Sequence, residues 1–105
     1  MAKGVPAIVL AAGASSRLGE PKAFVKWSGE TLVARSVRML QESGSSTIIV
    51  VTRAELQVDV MLECNGATVV VNPNPEEGRT GSLQVGLISL ISELGRTPRR
   101  VLVCP

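Results

Sequence analysis

The sequence predicts an α/β fold in three layers: a parallel four-stranded sheet of order 3-2-1-4, covered on both faces by helices. Two observations predict it. Four short apolar runs, Val5 to Ala11, Thr47 to Thr52, Ala67 to Val71 and Val101 to Cys104, lack polar alternation, as strands buried on both faces do. Three longer stretches between them repeat apolar residues every three or four positions, the spacing of one helix face. Strands that alternate with helices pair in parallel through right-handed crossovers.

The first strand is followed by a loop from Ala12 to Pro21, and Pro21 disfavours helix at Glu20. Ala23 to Trp27 is expected to form a short extended piece, with Phe24, Val25 and Trp27 as core cover. Ser28-Gly29-Glu30-Thr31 reads as a turn with Thr31 as N-cap of a helix. Leu32, Val33, Ser36, Val37 and Leu40 form its inner face, Arg35 and Arg38 its solvated face, and Gly44 its stop. The second strand leads to a helix over Ala54 to Cys64 with Leu56, Val60 and Cys64 on one side, then an Asn65-Gly66 turn and the third strand. Asn72 to Gly81 carries prolines and asparagines that bar regular structure. The third helix is expected to begin near Ser82, with Leu83, Leu87, Leu90, Ile91 and Leu94 as its apolar stripe. Its first amides either receive an anion or are capped by Ser82.

Composition removes several function classes. The chain has 105 residues, one domain at most, and a net charge of +2, too small to argue for nucleic acid or a membrane surface. No apolar run approaches the roughly 18 residues that span a bilayer. Cys64 and Cys104 lack CxxC spacing and read as reduced, partly buried thiols, which makes the cytoplasm the expected compartment. There is no histidine, hence no histidine triad or imidazole metal site. The single aspartate, Asp59, falls within a helix.

Chemistry concentrates in Leu10 to Lys22, Leu-Ala-Ala-Gly-Ala-Ser-Ser-Arg-Leu-Gly-Glu-Pro-Lys. Small residues let the backbone turn sharply and approach a ligand, and Arg17 and Lys22 place two cations around the turn. A phosphate chain suits that arrangement, with charge-assisted hydrogen bonds worth roughly 1.5–3 kcal/mol each. A P-loop is excluded: five residues separate Gly13 from Gly19, Glu20-Pro21 precedes Lys22, and Ala23 follows it instead of a hydroxyl. A dinucleotide fingerprint is excluded because Gly13 has no glycine two positions on.

The pattern Leu-Ala-Ala-Gly-x-Ser-x-Arg-Leu-Gly-x-Pro-Lys resembles the signature of the MobA-like nucleoside triphosphate transferases, especially the molybdenum cofactor cytidylyltransferase branch. Gly29-Glu30-Thr31-Leu32, Asn72-Pro73-Asn74 and Gly81-Ser82-Leu83 extend the resemblance along the whole chain. It implies a Rossmann-like fold of the nucleotide-diphospho-sugar transferase type. The implied reaction transfers a nucleoside monophosphate, CMP from CTP, to a phosphorylated small-molecule acceptor such as molybdopterin and releases pyrophosphate. The resemblance assigns Leu10, Ala11, Ala12 and Gly13 to nucleotide contacts and Arg17 and Lys22 to the triphosphate. Lys22 is the stronger candidate for stabilising developing charge. Gly78 to Ser82 should approach the ribose or base, with Thr52 a weaker candidate.

The family's Mg2+ ligand is an aspartate just beyond the fourth strand. This chain reads Val103-Cys104-Pro105 there, so no metal ligand is assigned within it and the Mg2+ ligand is expected beyond residue 105. Residues 1–105 are therefore expected to be the N-terminal nucleotide-binding portion of a single nucleotidyltransferase domain, truncated after strand four and inactive alone. Its fourth strand would then be an open edge that invites self-association. Two alternatives stay open: a catalytically inactive nucleotide-binding module, and a sugar- or polyol-phosphate nucleotidyltransferase.

Overall fold

The computed structural model describes residues 4–12, 26–27 and 29–104, with Trp27 in backbone only. The sheet is parallel throughout. Its central strand, β1 (Ala7–Leu10), has β4 (Ile48–Thr52) on one side and β6 (Leu102–Cys104) on the other. The strand β5 (Thr68–Val71) lies outside β4, which completes the order β5-β4-β1-β6. These four strands stand in the expected 3-2-1-4 sequence. In detail the topology differs by a separate antiparallel ribbon of β2 (Lys26–Trp27) and β3 (Glu30–Thr31). Of the expected extended piece, residues 23–25 lie outside the described residues, as do the side chains of Phe24, Val25 and Trp27.

Alternation along the strands divides the core. Ala7, Val9 and Val50 face α1 (Leu32–Glu42) and α2 (Gln57–Glu63), meeting Val33, Val37, Leu40 and Val60. Ile8, Ile49 and Val51 face α3 (Arg79–Leu94), meeting Leu90 with Leu83, Leu87 and Leu94 around it. Ile91 was expected in that stripe but is exposed, because the helix turns Leu83, Leu87, Leu90 and Leu94 inward and leaves Ile91 beside them. At Gly86 the helix comes closest to the sheet: a Cβ there would lie 2.7 Å from Ile8 Cγ2 and 3.1 Å from Val51 Cγ2.

The local signals act largely as expected. Thr31 caps α1, its Oγ1 accepting from the Ala34 N–H at 3.3 Å. Gly44, at φ 87°, stops that helix in a Schellman arrangement: Ser45 N–H reaches Leu40 O, and Gly44 N–H reaches Gln41 O, both at 3.0 Å. Arg38, expected on a solvated face, is exposed but paired, reaching Glu30 through Nε and Nη2 at 2.9 Å and Glu42 at 3.1 Å. The second helix is shorter than its pattern, since Ala54–Leu56 winds as a 3-10 turn before α2 begins.

The start of α3 is the main correction. It begins at Arg79, not near Ser82, and Ser82 lies in its interior. Gly78 precedes it at φ 104° and ψ −179°, a conformation open to glycine alone, so the turn is made one residue before the helix rather than at the hydroxyl. Ser82 is thus not the N-cap, and among the described residues no side chain caps this helix.

Candidate functional site

The order of the strands defines where a site can form. The chain leaves β1 toward β4 and α1 on one side, whereas β6 pairs on the other, so Leu10–Ala12 emerges at the switch in strand order. Open parallel sheets bind ligands beyond the carboxyl ends of strands at such a switch. Leu10 is half-buried against the α3 side, and Ala11 and Ala12 are buried. The Ala11 N–H donates to Val51 O at 2.7 Å, carrying the ladder one step past β1. The loop's remaining candidates, Gly13, Arg17 and Lys22, lie outside the described residues.

The next strands supply a buried polar row at the same end of the sheet. Thr52 has no exposed surface, and its hydroxyl donates to the Arg53 carbonyl at 3.3 Å. The Asn72 N–H donates to Thr52 O at 2.8 Å, so this ladder also runs one residue past its strand. The Asn72 side chain, itself buried, donates through Nδ2 to Ser82 Oγ at 2.9 Å and accepts through Oδ1 from the Asn74 N–H at 2.9 Å. Asn72 therefore ties the end of β5 to α3 and shapes the Pro73–Pro75 turn. Ser82, buried like Asn72, is engaged in this clasp, while Gly78 is exposed where the chain enters α3.

Thus Leu10, Ala11, Ala12 and Thr52 come together at adjacent strand ends, and Ser82 joins the same end of the sheet through Asn72. Two residues of this region escaped the sequence reading. Asn72 had a signal in the Asn-Pro-Asn run, which the sequence reads as irregular structure and as part of the family resemblance without a role at the site. Arg53 had none; its Nε is buried without a hydrogen-bond partner.

A second, shallow cavity of about 280 Å³ lies beside the ribbon, lined by Lys26, Thr31, Asp59, Leu62 and Glu63. Thr31 Oγ1 donates to Glu63 Oε1 at 2.6 Å, which locks α2 to the start of α1. Nearby, the hydrogen bond from Arg38 holds the Glu30 carboxyl below its usual range and raises the guanidinium's own pKa. Among the described residues no group of three or more histidine, cysteine, aspartate or glutamate side chains could hold a metal ion. Nor is any described helix long and apolar enough to cross a membrane.

Comparison with known proteins gives a consistent picture. The family model of the MobA-like NTP transferase domain matches residues 7–105. The chain is 42% identical over 59 residues to the "Probable molybdenum cofactor guanylyltransferase" of Opitutus terrae, covering 56% of this chain and 29% of that protein. It is 41% identical over 93 residues to the 2-C-methyl-D-erythritol 4-phosphate cytidylyltransferase of Rhodococcus opacus, covering 83% and 40% respectively. The crystal structure of Rv0371c from Mycobacterium tuberculosis H37Rv superposes with a TM-score of 0.66 at 25% identity, over 98% of this chain and 52% of that one. The chain spans well under half the length of the two curated relatives named here.

Proposed function

The chain belongs to the MobA-like NTP transferase family, and from that premise we propose that it is the nucleotide-binding portion of a nucleotidyltransferase domain. The proposed reaction moves CMP from CTP onto a phosphorylated small-molecule acceptor such as molybdopterin, with release of pyrophosphate. The observation that carries this reading is the place where the Leu10–Lys22 motif leaves the fold. It departs from the central strand at the switch in strand order, the place where open parallel sheets bind their ligands.

The work asked of these residues is positioning and charge neutralisation. Beyond Leu10, the small residues Ala11, Ala12 and Gly13 let the backbone of Leu10 to Gly13 lie against the nucleotide. Arg17 and Lys22 bind the triphosphate, and Lys22 stabilises the charge that builds as the bond to pyrophosphate breaks. Thr52, Gly78 and Ser82 shape the ribose and base side, the last through its clasp with Asn72. The proposal puts the Mg2+ ligand and the acceptor determinants outside residues 1–105 and the reaction in the cytoplasm. Self-association belongs to the same proposal, with a second copy pairing along β6, where Leu102 and Val103 are exposed.

Calorimetric titration with CTP, GTP and ATP, with and without Mg2+, tests the reading. CTP should bind the wild-type chain, and Lys22→Ala should weaken it by about 10- to 150-fold, the loss of one charge-assisted contact. Failure of every nucleotide to bind overturns the proposal. A polyol-phosphate acceptor is the second reading, favoured by the cytidylyltransferase relative that matches 83% of this chain. Turnover of CTP with 2-C-methyl-D-erythritol 4-phosphate, and not with molybdopterin, would decide for it.

A further inference from the structure

We propose that Asn65 is a self-modification site, where the side-chain amide is lost through attack by the Gly66 peptide nitrogen and Gln41 hastens the step. The inference stands apart from the nucleotide reading, because this turn lies at the amino end of β5, away from Asn72 at the other end of that strand.

The turn presents the reacting atoms. Between the end of α2 at Glu63 and the start of β5 at Thr68, the Ala67 N–H donates to Cys64 O at 3.2 Å. That bond closes a β-turn with Asn65 and Gly66 at its centre. Gly66 stands at φ 89°, where glycine is favoured, and both central residues are exposed. The turn's bond leaves the Gly66 N–H unused. Among the described residues neither that N–H nor the Asn65 side-chain amide has a hydrogen-bond partner. With no side chain on Gly66, its nitrogen is open to the amide carbon one residue back.

Gln41 adds a feature that the Asn-Gly pair alone does not have. The Gly66 nitrogen shares its peptide group with the Asn65 carbonyl. Gln41 Nε2, from the last turn of α1, donates to that carbonyl oxygen at 2.9 Å. A peptide nitrogen becomes a nucleophile by losing its proton, and the negative charge then spreads onto the oxygen of the same group. A donor already aimed at that oxygen stabilises the charge as it develops. Glycine is what admits this donor: a Cβ on Gly66 would lie 2.6 Å from Gln41 Nε2.

The atoms balance with water as the sole co-reactant. The Gly66 nitrogen gives its proton to water and bonds to Asn65 Cγ. The Cγ–Nδ2 bond breaks, and the nitrogen leaves as ammonia. Water then adds to one carbonyl of the resulting cyclic imide, and the Gly66 nitrogen regains a proton as the ring opens. Opening at Cγ gives an aspartyl residue at position 65. Opening at the main-chain carbonyl gives an isoaspartyl residue, with one more carbon in the main chain of the turn. Asn72 and Asn74 are the other asparagines, and each precedes a proline, whose nitrogen has no proton to lose. The Asn72 amide is also buried and bonded to Ser82. Conversion is therefore confined to position 65.

The test incubates folded wild type, Gln41→Met and Asn65→Gln in mildly alkaline buffer, with wild type and Gln41→Met unfolded in guanidinium chloride beside them. Peptide mass mapping locates the conversion, ammonia release gives its rate, and thermal melting confirms that the variants fold. Folded wild type should convert at position 65 alone, and Asn65→Gln should release no ammonia over the same period. Gln41→Met, which keeps the side chain's length and removes the donor, should convert about 2- to 12-fold more slowly when folded, the range one hydrogen bond supplies. In guanidinium chloride the two chains should convert at equal rates. Conversion of the unfolded chain but not the folded one would show that the fold shields Asn65 and would overturn the inference. A folded Gln41→Met chain that converts as fast as wild type, or faster, would overturn the role of Gln41.

Discussion

The two faces of the sheet solve different problems with similar aliphatic residues. On the α3 face the helix descends until Gly86 touches Ile8 and Val51, and this closeness brings Ser82 within reach of Asn72 at the strand ends. On the opposite face two helices share the cover, and polar groups close the seams: Thr31 joins α1 to Glu63 of α2, and Arg38 ties α1 to Glu30 of the ribbon. The first face depends on the absence of a side chain, the second on the presence of several. A face that must hold strand ends against a helix start tolerates little displacement, whereas one that only covers the sheet can distribute its contacts. The Asn72–Ser82 clasp accordingly lies on the α3 side.

The contrast can be broken most forcefully at Gly86. Gly86→Val forces side-chain carbon into Ile8 and Val51 and should destabilise the chain by about 3 kcal/mol, the upper part of the usual overpacking cost. Urea denaturation measures it, and a loss below about 1 kcal/mol would mean that α3 lifts freely and that closeness is not its constraint. On the other face, Thr31→Ala removes a helix cap and its bond to Glu63 together. It should cost about 1–2 kcal/mol in thermal melts and leave nucleotide affinity unchanged, since the bonds of Thr31 run to Ala34 and Glu63 and not to Thr52, Asn72 or Ser82. A change in nucleotide affinity would join the two faces functionally and remove the distinction.

A further expected effect concerns pH. Burial, with the charge of Glu63 behind it, pushes the Cys64 thiol from 9.0 up to about 11. Between those values the unfolded chain releases a proton that the folded chain keeps, so stability should be full below pH 9 and fall as pH rises toward 11. Urea midpoints from pH 8 to 11 should decline more for wild type than for Cys64→Ala. An equal decline would show that the thiol contributes nothing. The chain contains no tyrosine to titrate over the same range.

Much of this arrangement was legible in the residues themselves. Continuous β-branched runs such as Thr47 to Thr52 have few ways to be buried other than as central strands, and alternation with helices settled their parallel pairing. Thr31 acts through its own hydroxyl on an amide three residues on and Gly44 through its own backbone, so their capping roles needed no tertiary information. Other features were invisible for equally physical reasons. The start of α3 depends on Gly78 adopting φ 104°, which lets Arg79–Gly81 join the helix and moves Ser82 from cap to clasp. The partner of Asn72 is ten residues away and is chosen by how closely Gly86 lets the helix approach. The enclosed Nε of Arg53 has no signature in sequence, because burial of one atom depends on everything packed around it. By itself the sequence determined the main strands and helices, their parallel alternation and the motif at the first strand's end, since these follow from local periodicity and chain connectivity. Only the tertiary structure decided which polar side chains pair with one another and which buried atom is left without a partner, because those depend on distances between elements that no local pattern encodes.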